Sequence, residues 1–203
     1  ANPNEDIDNF KFSFSKMSKA GALFDMVKLA DVSKNYICRL SAEEVYEMVT
    51  DWAKENNKKL YKLLVDDEEY AKAIFAIERG NAKPRKDISA WTDVENYVSY
   101  FYSELWDRKF DFPDNLSNDD MIEILELYKQ IYDEKGSSDD WFPQVRDMAE
   151  TIGYAKAPKV YKKDPDSYKG HVGDVAGVIR VAATGRRNTP DLYEILQVLG
   201  KDE

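Results

Sequence analysis

One pattern dominates this chain. Apolar residues return every three or four positions, and each such stretch is bracketed by residues that start and stop helices. Ser41 with Glu44 has the spacing of a capping box, and Val45, Met48, Val49 and Trp52 follow as one stripe. Tyr70, Ile74 and Ile77 form a second stripe, from about Asp67 to Arg79, stopped by Gly80. Thr92 with Glu95 repeats the box spacing ahead of Val94, Tyr97, Val98, Phe101 and Leu105. At that spacing Tyr100 and Tyr102 should point away from the face of Phe101. Ser117 or Asn118 opens the next stretch, with Ile122, Leu125 and Tyr128 before Gly136. Trp141, Val145, Met148, Ala149 and Ile152 precede Gly153, and Val172, Val175, Ala176 and Ile179 precede Gly185. Thr189 as cap and Pro190 at the first helical position open a last helix with Leu192, Ile195, Leu196 and Leu199 inward. Only Phe10–Phe14 alternates, as a short strand or packing arm would. The predicted fold class is all-α: a helical bundle followed by a smaller helical subdomain.

The polar, glycine-containing run Lys135–Asp139 is the best internal boundary, and Pro113–Asn115 is a weaker one. This divides the chain into a connecting segment (1–40), a bundle (41–135) and a terminal subdomain (136–203).

Hydrophobic residues make up 43% of the 203 positions, enough for a real core. A single cysteine, Cys38, excludes an internal disulfide and reads as a small buried hydrophobe. A single histidine, His171, excludes His-pair metal sites, and no phosphate-binding P-loop pattern appears, so no metal site is expected. No apolar run approaches the ~20 residues of a membrane helix. The reading is a soluble, cytoplasmic, monomeric protein with no membrane partner.

The net charge of −10 is unevenly spread. Between Tyr154 and Pro190 eight basic residues face three aspartates, a local +5, which leaves −15 on the rest. A smaller basic knot holds Arg79, Lys83, Arg85 and Lys86. A positive region on an acidic body suits a polyanion such as RNA, and equally suits solvated lysines on a loop. The paired acids at helix starts read as charges favoured by the helix dipole rather than as catalytic carboxylates.

Three stretches together resemble the C-terminal half of bacterial glutamyl-tRNA synthetases. The first is Gly21–Leu29, similar to the family's "FDLEKL" segment. The second is Pro84-Arg85-Lys86 with Tyr100-Phe101-Tyr102, similar to a basic turn and aromatic helix. The third, Arg180-Val-Ala-Ala-Thr-Gly185 followed by Thr189-Pro-Asp-Leu-Tyr-Glu-Ile-Leu196 and Leu199-Gly200, resembles "RxALTG…(S/T)PxLxEIxxxLG" and is the specific one. Lys16–Lys19 looks like the family's KMSKS phosphate loop but lies too close to the first stretch, and reads as a lookalike.

The resemblance implies an all-helical region that binds the anticodon arm of tRNA for glutamate, in an enzyme that joins glutamate to tRNA with ATP and magnesium. It implies that the catalytic domain lies elsewhere in the same polypeptide, so that this piece holds no catalytic residue and needs no cofactor of its own. Carried over by position, the tRNA-contacting residues are Arg180, Arg186, Arg187, Thr189, Pro190, Leu192, Tyr193, Arg85 and Lys86. Arg180 and the 189–193 turn would meet the anticodon bases, with Leu192 or Tyr193 as a stacking surface. The competing reading is an acidic helical module for protein–protein interaction.

Overall fold

In a computed structural model, residues 7–9, 11–16, 24–133 and 136–200 are described. Most of the Lys16–Lys19 lookalike, the start of the first resembling stretch and Phe10 of the alternating arm lie outside these residues; the rest of that arm, Lys11–Phe14, forms no strand and runs into a 3-10 turn at Phe14–Lys16. Among the described residues ten α-helices occur in order: α1 (Met26–Ile37), α2 (Ala42–Asn56), α3 (Lys58–Asp66), α4 (Glu68–Ala76), α5 (Val94–Val98), α6 (Asn118–Ile131), α7 (Ser138–Thr151), α8 (Pro158–Tyr161), α9 (Val172–Thr184) and α10 (Leu192–Leu199). The fold is all-α. Among the described residues the one β feature is an isolated parallel bridge between Ala155 and His171.

The capping box at Ser41 forms as expected: the Ser41 hydroxyl accepts the Glu44 N–H at 3.1 Å, and Glu44 accepts the Ser41 N–H at 2.7 Å. The chain then turns twice on single Asx residues. Asn57 ends α2 and caps α3 by accepting the Leu60 N–H, and Asp67 does the same between α3 and α4 through the Tyr70 N–H. These kinks fold α3 and α4 back so that Leu60, Leu64, Ile74 and Phe75 meet Val45 and Val49, all fully buried. Each such side chain contributes on the order of 2 kcal/mol from removed apolar surface. Met48, expected in this stripe, stays 41% exposed.

The second expected box does not form. Asp93, not Glu95, supplies the capping carboxylate: its Oδ2 accepts the N–H of Ser89 and Ala90 and the Ser89 hydroxyl at 2.7–3.1 Å. Glu95 instead accepts from Asn57. The helix that follows is only five residues long and tightens into a 3-10 turn at 99–101, after which Tyr102 is extended. Helical spacing therefore fails there, and Tyr100, Phe101 and Tyr102 are all buried (3%, 7% and 8% exposed) rather than split between faces.

Two hydrophobic cores result. The first joins α2 to α5 and the 100–106 segment. The second joins α6, α7 and α9, with Leu116, Tyr154 and Val172. The break at Pro113–Asn115 thus lies between cores, whereas Gly136 lies between α6 and α7, which belong to the same core. Helix α10 serves both: Ile195, Val198 and Leu199 pack on the first core, Leu192 and Leu196 on the second. Its N-cap is Asp191, whose carboxylate accepts the Glu194 N–H at 3.0 Å. Thr189 and Pro190 therefore precede the helix rather than capping and starting it, because Arg180 occupies the Thr189 hydroxyl and the carbonyls behind it.

Candidate nucleic-acid interface

The 185–191 loop that joins α9 to α10 lies where the two cores meet. Gly185 ends α9 in the left-handed conformation (φ 75°), and its carbonyl accepts the Asp111 N–H at 3.0 Å. Across the junction Glu78 accepts the Asp191 N–H at 3.0 Å, while Glu194 accepts the Glu78 N–H at 2.6 Å. The loop is thereby fixed to both cores.

Arg180 is half-buried beneath this loop. Its Nη1 donates to the Pro190 carbonyl at 2.7 Å, to the Thr189 carbonyl at 3.4 Å and to the Thr189 hydroxyl. Nε and Nη2 make no hydrogen bond among the described residues. Burial pulls the guanidinium below the usual arginine range, Asp191 acts against that shift and Arg85 adds to it. It stays charged at neutral pH.

Beside Thr189 and Pro190 opens a groove of about 470 Å³, walled on one side by residues of the first core and its flanking segments and on the other by the α9–α10 loop. Its cations are Lys34, Arg85 and Arg186, and its carboxylates are Asp87 and Asp93. Arg85 makes a two-pronged pair with Asp87 at 2.7 and 2.9 Å, and that bond raises its pKa further. Arg186 lies over the Tyr100 ring at 5.3 Å and donates to Asn96 and Ser99 at 2.7–2.9 Å. Tyr97 and Tyr100 complete the wall. Burial pushes the Tyr97 phenol up to about 12, so it is a neutral donor throughout the physiological range. The Tyr100 hydroxyl is buried without a hydrogen-bond partner among the described residues.

The structure thus brings Arg85, Arg186, Thr189 and Pro190 to the groove wall, with Arg180 behind it holding the Thr189–Pro190 turn. It does not bring the other candidates to the groove. Arg187 is spent on the 111–112 segment, donating to the Asp111 and Phe112 carbonyls at 2.9 and 2.6 Å and pairing with the Asp111 carboxylate at 3.0 Å. Leu192 is 2% exposed inside the second core, where no base can stack on it. Tyr193 donates to the Gly136 carbonyl at 2.7 Å with its ring against Trp141. Lys86 lines a neighbouring cavity with Arg39 and Lys83, not this groove. Lys34, Asn96, Asn188 and the Glu78–Asp191–Glu194 bracket escape sequence reading, because their roles arise only once the α9–α10 loop packs against distant segments. His171 caps α9, its Nδ1 accepting the Gly173 N–H at 3.0 Å. No three carboxylate, imidazole or thiol groups among the described residues converge to hold a metal ion.

Residues 166–203, which hold α9, α10 and the loop that walls this groove, match the model of the anticodon binding domain family. Over nearly its whole length the chain is similar to glutamate–tRNA ligases. It is 43% identical to that of Clostridium perfringens (strain 13) over 99% of this chain and 38% of the relative. The ligase of Acetivibrio thermocellus is 42% identical over 100% of the chain and 37% of its own length, and that of Sorangium cellulosum 43% over 99% and 36%. The chain therefore spans less than two-fifths of the relatives it matches.

Proposed function

We propose that this chain is the tRNA-recognition region of a glutamate–tRNA ligase and that the groove beside its α9–α10 loop receives anticodon bases of tRNA for glutamate. One observation carries the reading: Arg85, Arg186 and the Arg180-held Thr189–Pro190 turn converge on one open groove, within and beside the segment that matches an anticodon-binding model. Unstacked bases are read by donors and acceptors on their edges and by stacking on aromatic or guanidinium planes. The groove supplies both. Asn96 and Asn188 on its wall carry amide donors and acceptors, Arg180 holds the Thr189–Pro190 turn in place, and Arg186 on Tyr100 offers a planar cationic surface. Thr189 and Pro190, both buried yet lining the groove, act by shape.

In this reading the second core, with α9 and α10, is the anticodon-binding subdomain and the first core is the bundle that contacts the rest of the arm. The ligation of glutamate, with ATP and magnesium, belongs to the part of the ligase outside this chain. Phe24, Met26, Val27 and Val32 are 52–73% exposed at the start of α1, a face suited to cover by that part. The protein acts in the cytoplasm as a monomer.

The test is a titration of the chain with the anticodon stem-loop of tRNA for glutamate and with a copy carrying one changed anticodon base, at several salt concentrations. Binding that weakens steeply with salt and prefers the cognate loop is expected. Salt-insensitive capture of a protein partner, with no RNA binding, would establish the acidic interaction module instead.

A further inference from the structure

We propose that the open face of α9 and the lysine turn at its start form a track for an RNA phosphodiester backbone leading away from the groove. The proposal rests on the reading that the groove binds RNA, and adds where the strand travels.

Four lysines, Lys156, Lys159, Lys162 and Lys163, lie within eight residues on and around α8, and all four are exposed. Among the described residues only Lys156 approaches a carboxylate, Glu150 at 3.8 Å. Asp164 follows directly, but its carboxylate accepts the Ser167 hydroxyl at 2.6 Å. Lys169 shows the contrast, being held by Asp120 and Glu123 at 2.7 and 3.2 Å. Lys159, Lys162 and Lys163 thus form no ion pair among the described residues, and with Lys156 they outnumber the nearby Asp164 and Asp166 in a chain whose net charge is −10. Repeated single charges without an apolar anchor match a repeated anion, not a protein surface.

The turn is joined to the groove through continuous contacts. The Tyr161 ring stands edge-on to His171 at 5.8 Å. The imidazole of His171 lies over Gly173, where an added Cβ would stand 2.7 Å from the ring. From Gly173, positions 176, 177 and 180 share one face of α9, while Val172, Val175, Val178 and Ile179 go to the core. That face spans about 10 Å and ends at Arg180. Gly177 within it has nothing within 4 Å of a built Cβ. A helix-interior glycine costs about 1 kcal/mol relative to alanine, and no packing requirement here accounts for it. A smooth surface lets a sugar–phosphate chain lie close to the helix, and long side chains would hold it off.

Three variants of the full chain test this, titrated with the fluorescent cognate stem-loop and its changed-base copy. K159Q/K162Q/K163Q should bind both RNAs at least tenfold more weakly at low salt, with the ratio between them unchanged. The slope of log affinity against log salt should shrink by about two to three, as three lost phosphate contacts require. Gly177→Glu should weaken both RNAs severalfold. Gly177→Ala should bind like the parent chain and melt no lower. A parent-like affinity and salt slope in the triple variant, while the parent chain still binds and discriminates, overturns the track and leaves the groove reading standing. If the parent chain binds neither RNA, both fall together.

Discussion

Replacing Gly185 by alanine should damage this protein more than any other single methyl group placed at a turn. Two costs combine. Residue 185 sits at φ 75°, where a Cβ collides with its own backbone at about 1–2 kcal/mol. The added carbon would also stand 2.3 Å from the Lys109 carbonyl oxygen, a backbone atom that cannot swing aside. Relief requires the 109–111 segment to move, which loosens the 3.0 Å bond from the Asp111 N–H to the Gly185 carbonyl and a further 1–2 kcal/mol with it. The total is about 2–4 kcal/mol, or roughly 5–15 °C in melting temperature for a domain of this size. Gly80 is the control: its φ is 82°, but a Cβ there meets nothing within 4 Å, so Gly80→Ala should cost only about 1 kcal/mol. Thermal and urea unfolding of both variants decide the matter. Equal destabilisation would refute the claim that the α9 terminus is wedged against the 109–111 segment. Because Arg186, Arg187 and Thr189 follow Gly185 directly, Gly185→Ala should also bind RNA less well even when fully folded.

Leu192→Ala should lower stability by about 2–4 kcal/mol in urea unfolding, as a core truncation does, with the anticodon preference of the folded protein intact. Asp93→Asn should cost about 1–2 kcal/mol near neutral pH. Burial pushes the Asp93 carboxyl up, but bonds from the Ser89 hydroxyl and from the Ser89 and Ala90 N–H groups outweigh it, so its net pKa is lowered. A lowered carboxyl stabilises the fold above the ordinary value of 3.8 and loses that contribution as pH falls through its folded pKa, so the difference between the two proteins should narrow in acid. Glu194→Ala should cost about 1–2 kcal/mol by releasing the Glu78 N–H, and should weaken RNA binding by loosening the bracket between cores.

Most helices were legible because their signals are local. The Ser41–Glu44 box, the Ser117 start and the Gly185 stop depend on residues within one turn of each other. The errors lie where a second local solution competes or a distant group intervenes. Asp93 sits one residue behind Thr92 and takes the cap, because it reaches three donors at once. Helix α3 was missed since Asn57 both ends one helix and begins the next, leaving only Leu60 and Leu64 as a stripe. The sequence pointed to Arg180, Arg186, Thr189, Pro190 and Arg85; the fold gathers the last four on the groove and sets Arg180 behind the turn that walls it. Leu192, Tyr193 and Arg187 share the same motif but face inward or toward other segments, and only packing reveals which way a residue of a motif turns.

The account turns on whether the Arg180-held corner distinguishes bases, so the decisive quantity is the ratio of affinities for cognate and changed-base stem-loops in Arg180→Ala, set beside Arg187→Ala. A ratio that collapses toward one in Arg180→Ala and survives in Arg187→Ala is the predicted outcome. A ratio preserved in Arg180→Ala, with both RNAs merely bound less tightly, would contradict it.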